Sequence, residues 1–456
     1  MAFLDSRYLL ENETAFVLYN EVADLPVVDV HNHADVAQIA GNVKFSDPWT
    51  LFAATDHYVW EVMRKRGVEE KFITGDASPK EKWMELSRVF PELIGNPVYE
   101  WIHLDLRTIG ISDILLGPDT GEDVWEQAKA VLAVSSNYPQ RLLERMKIET
   151  MCSTDDPADT LEHHAALNKA MGRQIVRPTW RPDKAVNLLS PGWREYIARL
   201  EKRFDRKISG VEDLLKTLKI SHDFFNEQGA VASDHALLYP LSGDATLEEA
   251  QNAFRKALDG KTPPSREEAD QYASYLLREF AAMNEEKGWV FQMHIGARRD
   301  VRAELFRELG PDSGGDVSDH AIDIVRPLSG FLNHFDNRLK VVLYCLDPGH
   351  QASLASVARA FGSKVRLGSA WWLNDTPVGM RRQLEYIGSV DLLYNFAGMV
   401  SDSRKLLSYS SRFDMFRRVL ADTVARMVNA GQFPLSLGMH LMKHVCYTGP
   451  KEFFRI

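Results

Sequence analysis

The sequence predicts an α/β fold, a (β/α)8 barrel of the TIM type, and three observations lead to that prediction. Eight short apolar or β-branched runs along the chain end in polar residues, as buried strands do. Amphipathic stretches typical of helices lie between many of these runs, and such alternation favours a parallel sheet. The first run, at residues 26–31, is apolar enough for a strand that is covered on both faces.

The predicted elements are spread over the whole chain. The strands occupy residues 26–31, 147–153, 174–180, 229–234, 289–294, 340–345, 364–369 and 396–402. The helices between them are predicted at residues 160–171, 210–228, 266–286, 352–361 and 378–387.

Two intervals between predicted strands are too long for simple connections. Residues 35–146, after the first strand, carry helical patterns at 47–66 and 80–90, which indicates an inserted helical subdomain. Residues 236–288 form a second, smaller insertion within the barrel. The barrel itself then comprises residues 1–34 and 147–456. Within its C-terminal part, 403–456, the stretch 415–429 is strongly amphipathic and is expected to pack on the outside of the barrel.

The composition is that of an ordinary globular protein. The 456 residues are 45% hydrophobic and 26% charged, and their formal net charge is −10. This charge argues against nucleic-acid or membrane partners, because both favour basic patches. Three widely spaced cysteines give no disulfide framework, the N-terminus lacks signal-peptide features, and no apolar run approaches about 18 residues. We therefore expect a cytoplasmic protein that forms a symmetric homo-oligomer, as enzymes of this size commonly do.

The first predicted strand ends in two histidines, His31 and His33. Residues two apart in a strand point to the same side, so both rings can converge on one metal ion. A His-x-His pair alone is weak evidence, because histidines near a strand end are more often polar caps or hydrogen-bonded core groups.

Polar residues also follow the other predicted strands, and in barrels the active site lies where those ends meet. The candidates are Asp155, Arg177, Arg181, Asp234, His235, His294, Trp371, Trp372, Asp402 and Arg404. A His-x-His on the first strand, a His closing the fifth and an Asp closing the eighth form a plausible ligand shell for one divalent ion, with zinc as the expected metal. Its members are His31, His33, His294 and Asp402.

This shell resembles that of the amidohydrolase superfamily, whose barrel type we therefore expect. The chain departs from the superfamily's two-metal pattern at two strand ends. Ser233 and Asp234 occupy the place of a lysine after the fourth strand, and Tyr344 and Cys345 occupy the place of a histidine after the sixth. A two-metal hydrolytic centre is therefore disfavoured.

Longer motifs resemble one branch of that superfamily, the uronate (glucuronate) isomerases, over nearly the whole chain. They include Val-Asp-Val-His-Asn-His at 28–33, Ala-Thr-Asp-His-Tyr-Val-Trp at 54–60, Gly-Asn-Pro-Val-Tyr-Glu-Trp-Ile-His-Leu at 95–104, Thr-Trp-Arg-Pro-Asp at 179–183, His-Ile-Gly-Ala at 294–297, Trp-Trp-Leu-Asn-Asp at 371–375 and Asp-Ser-Arg at 402–404. The resemblance implies an aldose–ketose isomerase of hexuronate catabolism. It would interconvert D-glucuronate with D-fructuronate, and D-galacturonate with D-tagaturonate.

The resemblance also implies how the chemistry is divided. Moving a proton from C2 to C1 needs a base, a group that stabilises the enediolate oxygen and a group that holds the substrate carboxylate. By resemblance, His31, His33 and Asp402 hold the metal, and Asp402 or its associated water is the first choice for the base. Arg404 would stabilise the enediolate, and Arg181 would hold the carboxylate.

Several residues keep a second interpretation. Arg181 could instead form an ordinary surface ion pair with Asp183, and His294 could hydrogen-bond a water or the substrate rather than the metal. His57 and Tyr58 could assist ring opening or protonate C1, or simply lie inside a helix. Trp371 and Trp372 suit a pocket wall against the sugar, with core packing as the alternative for one of them.

Two other functions remain open from the sequence. A mononuclear metal-dependent hydrolase or deaminase would use the same ligand shell to activate water. A non-catalytic protein that binds sugar acids would keep Arg181 and the tryptophans and would tolerate loss of Asp402. The glycine-rich segment 310–316 suits a mobile loop, but no Lys-Ser/Thr follows it, so a nucleotide P-loop is not expected.

Overall fold

The structure, a computed structural model, describes residues 3–456 and is an α/β fold with parallel sheets. Its strands are β1 (Val27–Asp29), β2 (Ile148–Cys152), β3 (Val176–Arg177), β4 (Ala232–Leu237), β5 (Val290–Ile295), β6 (Ala297–Arg298), β7 (Val317–Ser318), β8 (Lys340–Cys345) and β9 (Val365–Leu367). Among the described residues, none of the helices has both the length and the apolar character that a membrane crossing requires.

The parallel strands follow one another in chain order. One sheet has the order β1-β2-β3 and another has the order β4-β5-β8-β9. Trp180 forms single parallel bridges with Asp155 and with Ser233, and so continues the ladder from the first sheet to the second. The short strands β6 and β7 pair with each other in an antiparallel ladder that the sequence did not predict.

The segment predicted as the eighth strand, 396–402, is not a strand in the structure. It nevertheless lies between β9 and the end of β1, because Ala397 N–H donates to the Leu367 carbonyl (2.9 Å) and Asp402 N–H donates to the His31 carbonyl (3.3 Å). Gly398 and Asp402 have φ angles of +119° and +48°, and these positive values interrupt an extended backbone.

The fourth strand begins three residues later than the sequence predicts. Gly229 has a φ of +87°, and Ala230 N–H still donates to the carbonyl of Phe225 at the end of the preceding helix. The backbone therefore becomes extended only at Ala232. As a result, Asp234 lies inside the strand and not after it, and the second predicted insertion at 236 would begin within β4.

Seven helices lie between β1 and β2, after the N-terminal helix α1 (Glu13–Asn20). They are α2 (Val36–Gly41), α3 (Pro48–Phe52), α4 (His57–Lys65), α5 (Pro79–Val89), α6 (Pro97–Thr108), α7 (Gly121–Leu132) and α8 (Pro139–Arg145). The single helix predicted at 47–66 is two helices, because Asp47 and Asp56 each begin one by accepting a bond from a backbone N–H of its first turn.

The remaining helices follow the later strands or close the chain. They are α9 (Glu162–Met171), α10 (Asp183–Val186), α11 (Trp193–Phe204), α12 (Val211–Glu227), α13 (Leu247–Asp259), α14 (Arg266–Lys287), α15 (Ala303–Leu309), α16 (Val325–His334), α17 (Gln351–Ala360), α18 (Pro377–Val390), α19 (Ser408–Asn429), α20 (Leu435–Lys443) and α21 (Gly449–Phe454). Short 3-10 turns and one π turn connect some of them.

Helix α19 differs from its predicted position on the outside of the fold. It begins at Ser408, seven residues before the predicted stretch, and nearly all of its residues as far as Ala425 are buried. It packs against α1, α6, α18 and α20 and also touches β1. Its buried residues include Arg412, so the helix brings charge into the interior rather than only covering an apolar surface.

Alternate side chains of the parallel strands form an apolar cluster that lies beneath the candidate site. Val28 and Val30 share this cluster with Val290, Val342 and Tyr344. Phe453 and Phe454 of α21 belong to it as well, and so do Trp371 and Trp372. Because residues two apart in a strand point the same way, His294 continues the inward face of Val290.

Candidate active site

A cavity of about 400 Å³ lies at the carboxyl ends of the parallel strands. All ten site residues predicted from the sequence line it: His31, His33, His57, Tyr58, Arg181, His294, Trp371, Trp372, Asp402 and Arg404. The structure thus brings together residues from both ends of the chain. They meet at the carboxyl ends of the strands, where the alternation of strands and helices predicted the site.

The two histidines of the first strand face one carboxylate oxygen. His31 Nε2 lies 3.2 Å from Asp402 Oδ1, and His33 Nε2 lies 3.3 Å from the same atom. Burial works to raise the pKa of Asp402, but the two imidazoles outweigh it and hold that pKa well below its usual range. Asp402 is therefore an ionised carboxylate.

A second buried group surrounds Asp234. Its Oδ1 lies 2.6 Å from His294 Nδ1, and its Oδ2 lies 3.7 Å from His31 Nδ1 and 3.1 Å from Arg181 Nη1. Burial alone would raise the pKa of Asp234, yet the charges of Arg181 and the two histidines lower it far below its usual value. Asp234 thus hydrogen-bonds the ring of His294 from behind, whereas its 3.7 Å contact with His31 is electrostatic only.

Among the described residues, ligand-type atoms of three or more side chains come close together in two groups. One is His31, His33 and Asp402, and the other is His31, Asp234 and His294. His31 belongs to both, whereas the structure does not bring His294 into the group of His33 and Asp402.

The first group fits a divalent ion. Ligand atoms about 2.1 Å from a tetrahedral zinc ion stand about 3.4 Å from one another, close to the two separations observed here. Two imidazole nitrogens and one carboxylate are ligands that zinc and its neighbours favour. The other nitrogen of His31, Nδ1, faces Asp234 across 3.7 Å, which is too far for a hydrogen bond, so Asp234 acts on this ring through its charge. His294 Nε2 is buried without a hydrogen-bond partner.

Arg181 keeps both of its predicted interpretations. Its Nε donates to Asp183 Oδ2 at 2.6 Å, which is the ion pair that the sequence left open. Its Nη1 lies in the cavity wall near Asp234, and the side chain is 19% exposed. A guanidinium with five donors can serve both carboxylates and still meet a third one.

Arg404 and His57 meet at the mouth of the cavity. Arg404 Nη1 donates to His57 Nε2 at 3.0 Å, and its Nη2 donates to Asp312 Oδ2 at 2.6 Å. Because His57 accepts at Nε2, the ring is neutral with its proton on Nδ1. Burial lowers the pKa of His57 and the charge of Arg404 lowers it further, in agreement with that assignment.

Tyr58 and the two tryptophans form the side wall. The Tyr58 hydroxyl donates to Asp375 Oδ1 at 2.5 Å and accepts from the Leu373 backbone N–H at 2.7 Å. Trp371 and Trp372 are 5% and 7% exposed, so each both packs in the apolar cluster and lines the cavity. The alternatives of pocket wall and core are therefore not exclusive.

Several site residues were not predicted. The charged ones that line the cavity are Asp56, Arg299, Asp300, Asp312, Lys405 and Arg412. Asp312 lies in the glycine-rich segment 310–316, and this was the only signal in the sequence that marked that loop. With Arg181 and Arg404, the wall carries five cationic side chains, Arg299, Lys405 and Arg412 being the others. Four carboxylates, of Asp56, Asp300, Asp312 and Asp402, line the same cavity, so the cations exceed the acids by one. This local balance suits an anionic ligand better than the net charge of −10 does.

Comparison with known proteins gives consistent matches over the full chain. The profile of the glucuronate isomerase family matches residues 1–454. A uronate isomerase from Thermotoga maritima is 49% identical over 453 residues, which cover 99% of this chain and 99% of that protein.

Solved structures give the same result. A crystal structure of uronate isomerase from Thermotoga maritima covers 100% of both chains with a TM-score of 0.97 and 48% identity. Glucuronate isomerase from Caulobacter crescentus covers 100% of this chain and 97% of its own, with a TM-score of 0.94 and 28% identity. A Lactobacillus casei protein provisionally assigned as a metal-dependent hydrolase has a TM-score of 0.56 and 13% identity over 96% of this chain, which shows likeness of fold alone.

Proposed function

The chain belongs to the glucuronate isomerase family and is an isomerase, and on that premise we propose its substrates and mechanism. It interconverts D-glucuronate with D-fructuronate and D-galacturonate with D-tagaturonate, in hexuronate catabolism. One observation carries the proposal. A single cavity joins the His31, His33 and Asp402 group to a wall of arginines, so a base and a carboxylate-binding surface face the same small ligand.

In this proposal His31, His33 and Asp402 hold one divalent metal ion, with zinc expected and His294 kept as a predicted fourth ligand. When bound, such an ion would supply Lewis-acid polarisation of the substrate. Asp402 contacts both imidazoles through Oδ1, which leaves Oδ2 to take the proton from C2. The same carboxyl group then returns a proton to C1.

The arginines hold the substrate and balance its charge. Arg181 binds the substrate carboxylate, where a charge-assisted bond contributes about 1.5–3 kcal/mol. Arg404 turns from Asp312 toward the enediolate oxygen, whose negative charge then replaces that of Asp312 as the counterion of the guanidinium. His57, neutral and adjacent, stays an acceptor beside the reacting oxygens.

We also propose that the strands close into a (β/α)8 barrel with residues 35–146 as its helical insertion. The chain order of the ladder supports this, as does the Trp180 bridge between the sheets. The segment 396–402 would occupy the last position, since it is bonded to β9 on one side and to the end of β1 on the other. The enzyme is further proposed to work as a cytoplasmic homo-oligomer.

The test is turnover of D-glucuronate and D-galacturonate by the wild type and by Asp402→Asn, followed by NMR of the keto products. General-base catalysis contributes about 10²–10⁴-fold, so we expect kcat to fall by at least that factor while the fold stays intact. Asp422→Asn is the control, because Asp422 is even more deeply buried than Asp402 but pairs with Arg381 in α18 outside the cavity.

The other outcomes separate the alternatives. Release of a hydrolysis product without any ketose would indicate the hydrolase or deaminase. Binding of uronates without turnover, unchanged in Asp402→Asn, would indicate a sugar-acid binding protein. Normal isomerisation by Asp402→Asn would show that the assigned base is wrong.

A further inference from the structure

A buried chain of hydrogen bonds runs from α19 to the cavity wall. Arg412 Nη1 donates to Asp375 Oδ2 at 2.5 Å, and Asp375 Oδ1 accepts from the Tyr58 hydroxyl at 2.5 Å. The side chains of Arg412 and Asp375 are both 4% exposed, so water does not compete for these bonds. Of the three, Tyr58 and Arg412 line the cavity, while Asp375 lies behind the phenol.

The hydrogen bonds of this buried chain have a fixed donor-to-acceptor direction. An ionised carboxylate only accepts, so the Tyr58 proton must point toward Asp375 and away from the cavity. The Leu373 N–H donates to the phenol oxygen at 2.7 Å and occupies one of its two acceptor positions. One lone pair is left, and Tyr58 therefore presents an acceptor to the substrate.

The backbone of Leu373 is strained in a way that serves this contact. Its φ is +63°, a region that non-glycine residues rarely adopt at a cost of about 1–3 kcal/mol. Its side chain is 36% exposed, so burial of the leucine does not explain the conformation. What the conformation achieves is to aim the N–H at the Tyr58 oxygen.

Arg412 is held from several sides. It also donates to the Ser401 carbonyl at 2.9 Å, and its guanidinium lies 4.3 Å from the centre of the Trp101 ring and 5.3 Å from that of Tyr58. The carboxylate that it pairs with therefore has one fixed position. Burial raises the pKa of Asp375, and this makes the carboxylate a better proton acceptor.

We propose that Asp375, fixed by Arg412, is a positioning residue that makes Tyr58 a proton acceptor toward a substrate hydroxyl and receives the proton of Tyr58 in return. In the step, the substrate O–H bond breaks and a new O–H bond forms at Tyr58, while the original Tyr58 proton moves to Asp375 Oδ1. The negative charge passes from Asp375 to the substrate oxygen, and Tyr58 is neutral before and after. The proposal rests on the proposed isomerase activity and deepens it.

The test is a double-mutant cycle of Tyr58→Phe and Asp375→Asn with D-glucuronate as substrate. We expect each single variant to lower kcat by about 10²-fold with little change in KM, the lower end of proton-transfer contributions. Because Asp375 acts through Tyr58, the double variant should be no slower than Tyr58→Phe within about threefold. Asp422→Asn, a buried aspartate paired with arginine elsewhere, should keep its kcat.

The proposal would be overturned if the kcat of the double variant fell by the product of the two single-variant factors. That result would mean that Asp375 affects kcat equally whether or not the Tyr58 hydroxyl is present, as a structural residue would. Wild-type kcat in Tyr58→Phe would overturn it too. If the wild type isomerises neither uronate, the proposed function itself fails, and this outcome is distinct from additivity in an active enzyme. Should Asp375→Asn not fold, Arg412→Lys replaces it in the cycle with the same expectation, because lysine cannot hold Asp375 and Ser401 together in the same geometry.

Discussion

Replacing Lys405 with methionine would remove a buried cation that two aspartates share. Lys405 Nζ lies 3.1 Å from Asp56 Oδ2 and 3.0 Å from Asp105 Oδ2. The lysine side chain is 2% exposed, and those of Asp56 and Asp105 are 6% and 0% exposed. Methionine keeps most of the volume of the side chain, so the change tests the charge rather than the packing.

The expected loss is large because the partners stay buried. Removing one member of a buried ion pair costs about 3–5 kcal/mol, since the remaining charge has no compensation. Here two carboxylates would face each other, so we expect the upper part of that range. Asp56 also begins α4 by accepting from the Tyr58 N–H at 3.0 Å, and activity should therefore fall as well.

Urea unfolding at several pH values measures this loss, and its pH dependence has a definite sign. In the variant, burial raises the folded-state pKa of both aspartates above the unfolded value, as it already does for Asp105 in the wild type. Stability gained by protonation is then present at low pH and is lost as the pH rises through the folded pKa. The difference from the wild type should therefore be smaller at pH 5 than at pH 8.

The matched control is Lys80→Met, because Lys80 pairs with Glu122 at 2.6 Å but is 44% exposed. Exposed pairs of this kind contribute about 0–1 kcal/mol, so this variant should unfold almost like the wild type. A loss below about 1 kcal/mol for Lys405→Met, or a loss that grows toward acid pH, would refute the argument that this lysine is the counterion of a buried acidic pair.

Two further predictions concern the metal group and the glycine that follows β9. His33→Ala should bind little zinc in metal analysis. Chelation should lower the Tm of the wild type, because it removes a ligand of the folded state, but it should leave the Tm of this variant unchanged. Equal zinc content in both proteins would contradict the assignment. Gly368→Ala should lower the free energy of unfolding by more than the roughly 1–3 kcal/mol that overpacking usually costs, because a Cβ there would lie 2.0 Å from the ring of Tyr344. It should also lower kcat, because that ring stacks on His294. Gly192→Ala, where a Cβ would meet nothing within 4 Å, should show neither effect.

The parts of the site that the sequence predicted follow from local periodicity. The spacing of two predicted that His31 and His33 converge, and both do face Asp402, although β1 ends at Asp29. His294 continues the inward face of its strand. Each of these positions can be read from a few neighbouring residues. Asp402 was predicted as the residue that closes the eighth strand, and it lines the cavity although the segment 396–402 does not form a strand.

The parts that were missed depend on contacts between distant segments. Lys405 meets Asp105, about 300 positions earlier, and Arg412 meets Asp375 from a helix whose sequence pattern suggested an outer surface. No periodicity relates such residues, since their pairing is set by packing of α6 and α19. The register of β4 was missed for a similar reason, because the turn at Gly229 decides where the strand begins.

Part of the backbone strain in the structure lies where function is proposed. Trp371, Leu373 and Asp402 all have positive φ angles, and so does Asp312 at the cavity mouth. Each strained conformation costs about 1–3 kcal/mol and persists because the surrounding structure enforces it. Buried ion pairs such as Arg412 with Asp375 add their own desolvation cost. Substitutions that remove the strain or the buried charges should stabilise the fold, but they would free the side chains that the strained backbone and the ion pairs hold in place. Burial of the apolar cluster beneath the cavity, which includes Val28, Val290 and Val342, therefore has to offset the destabilisation that comes from the site.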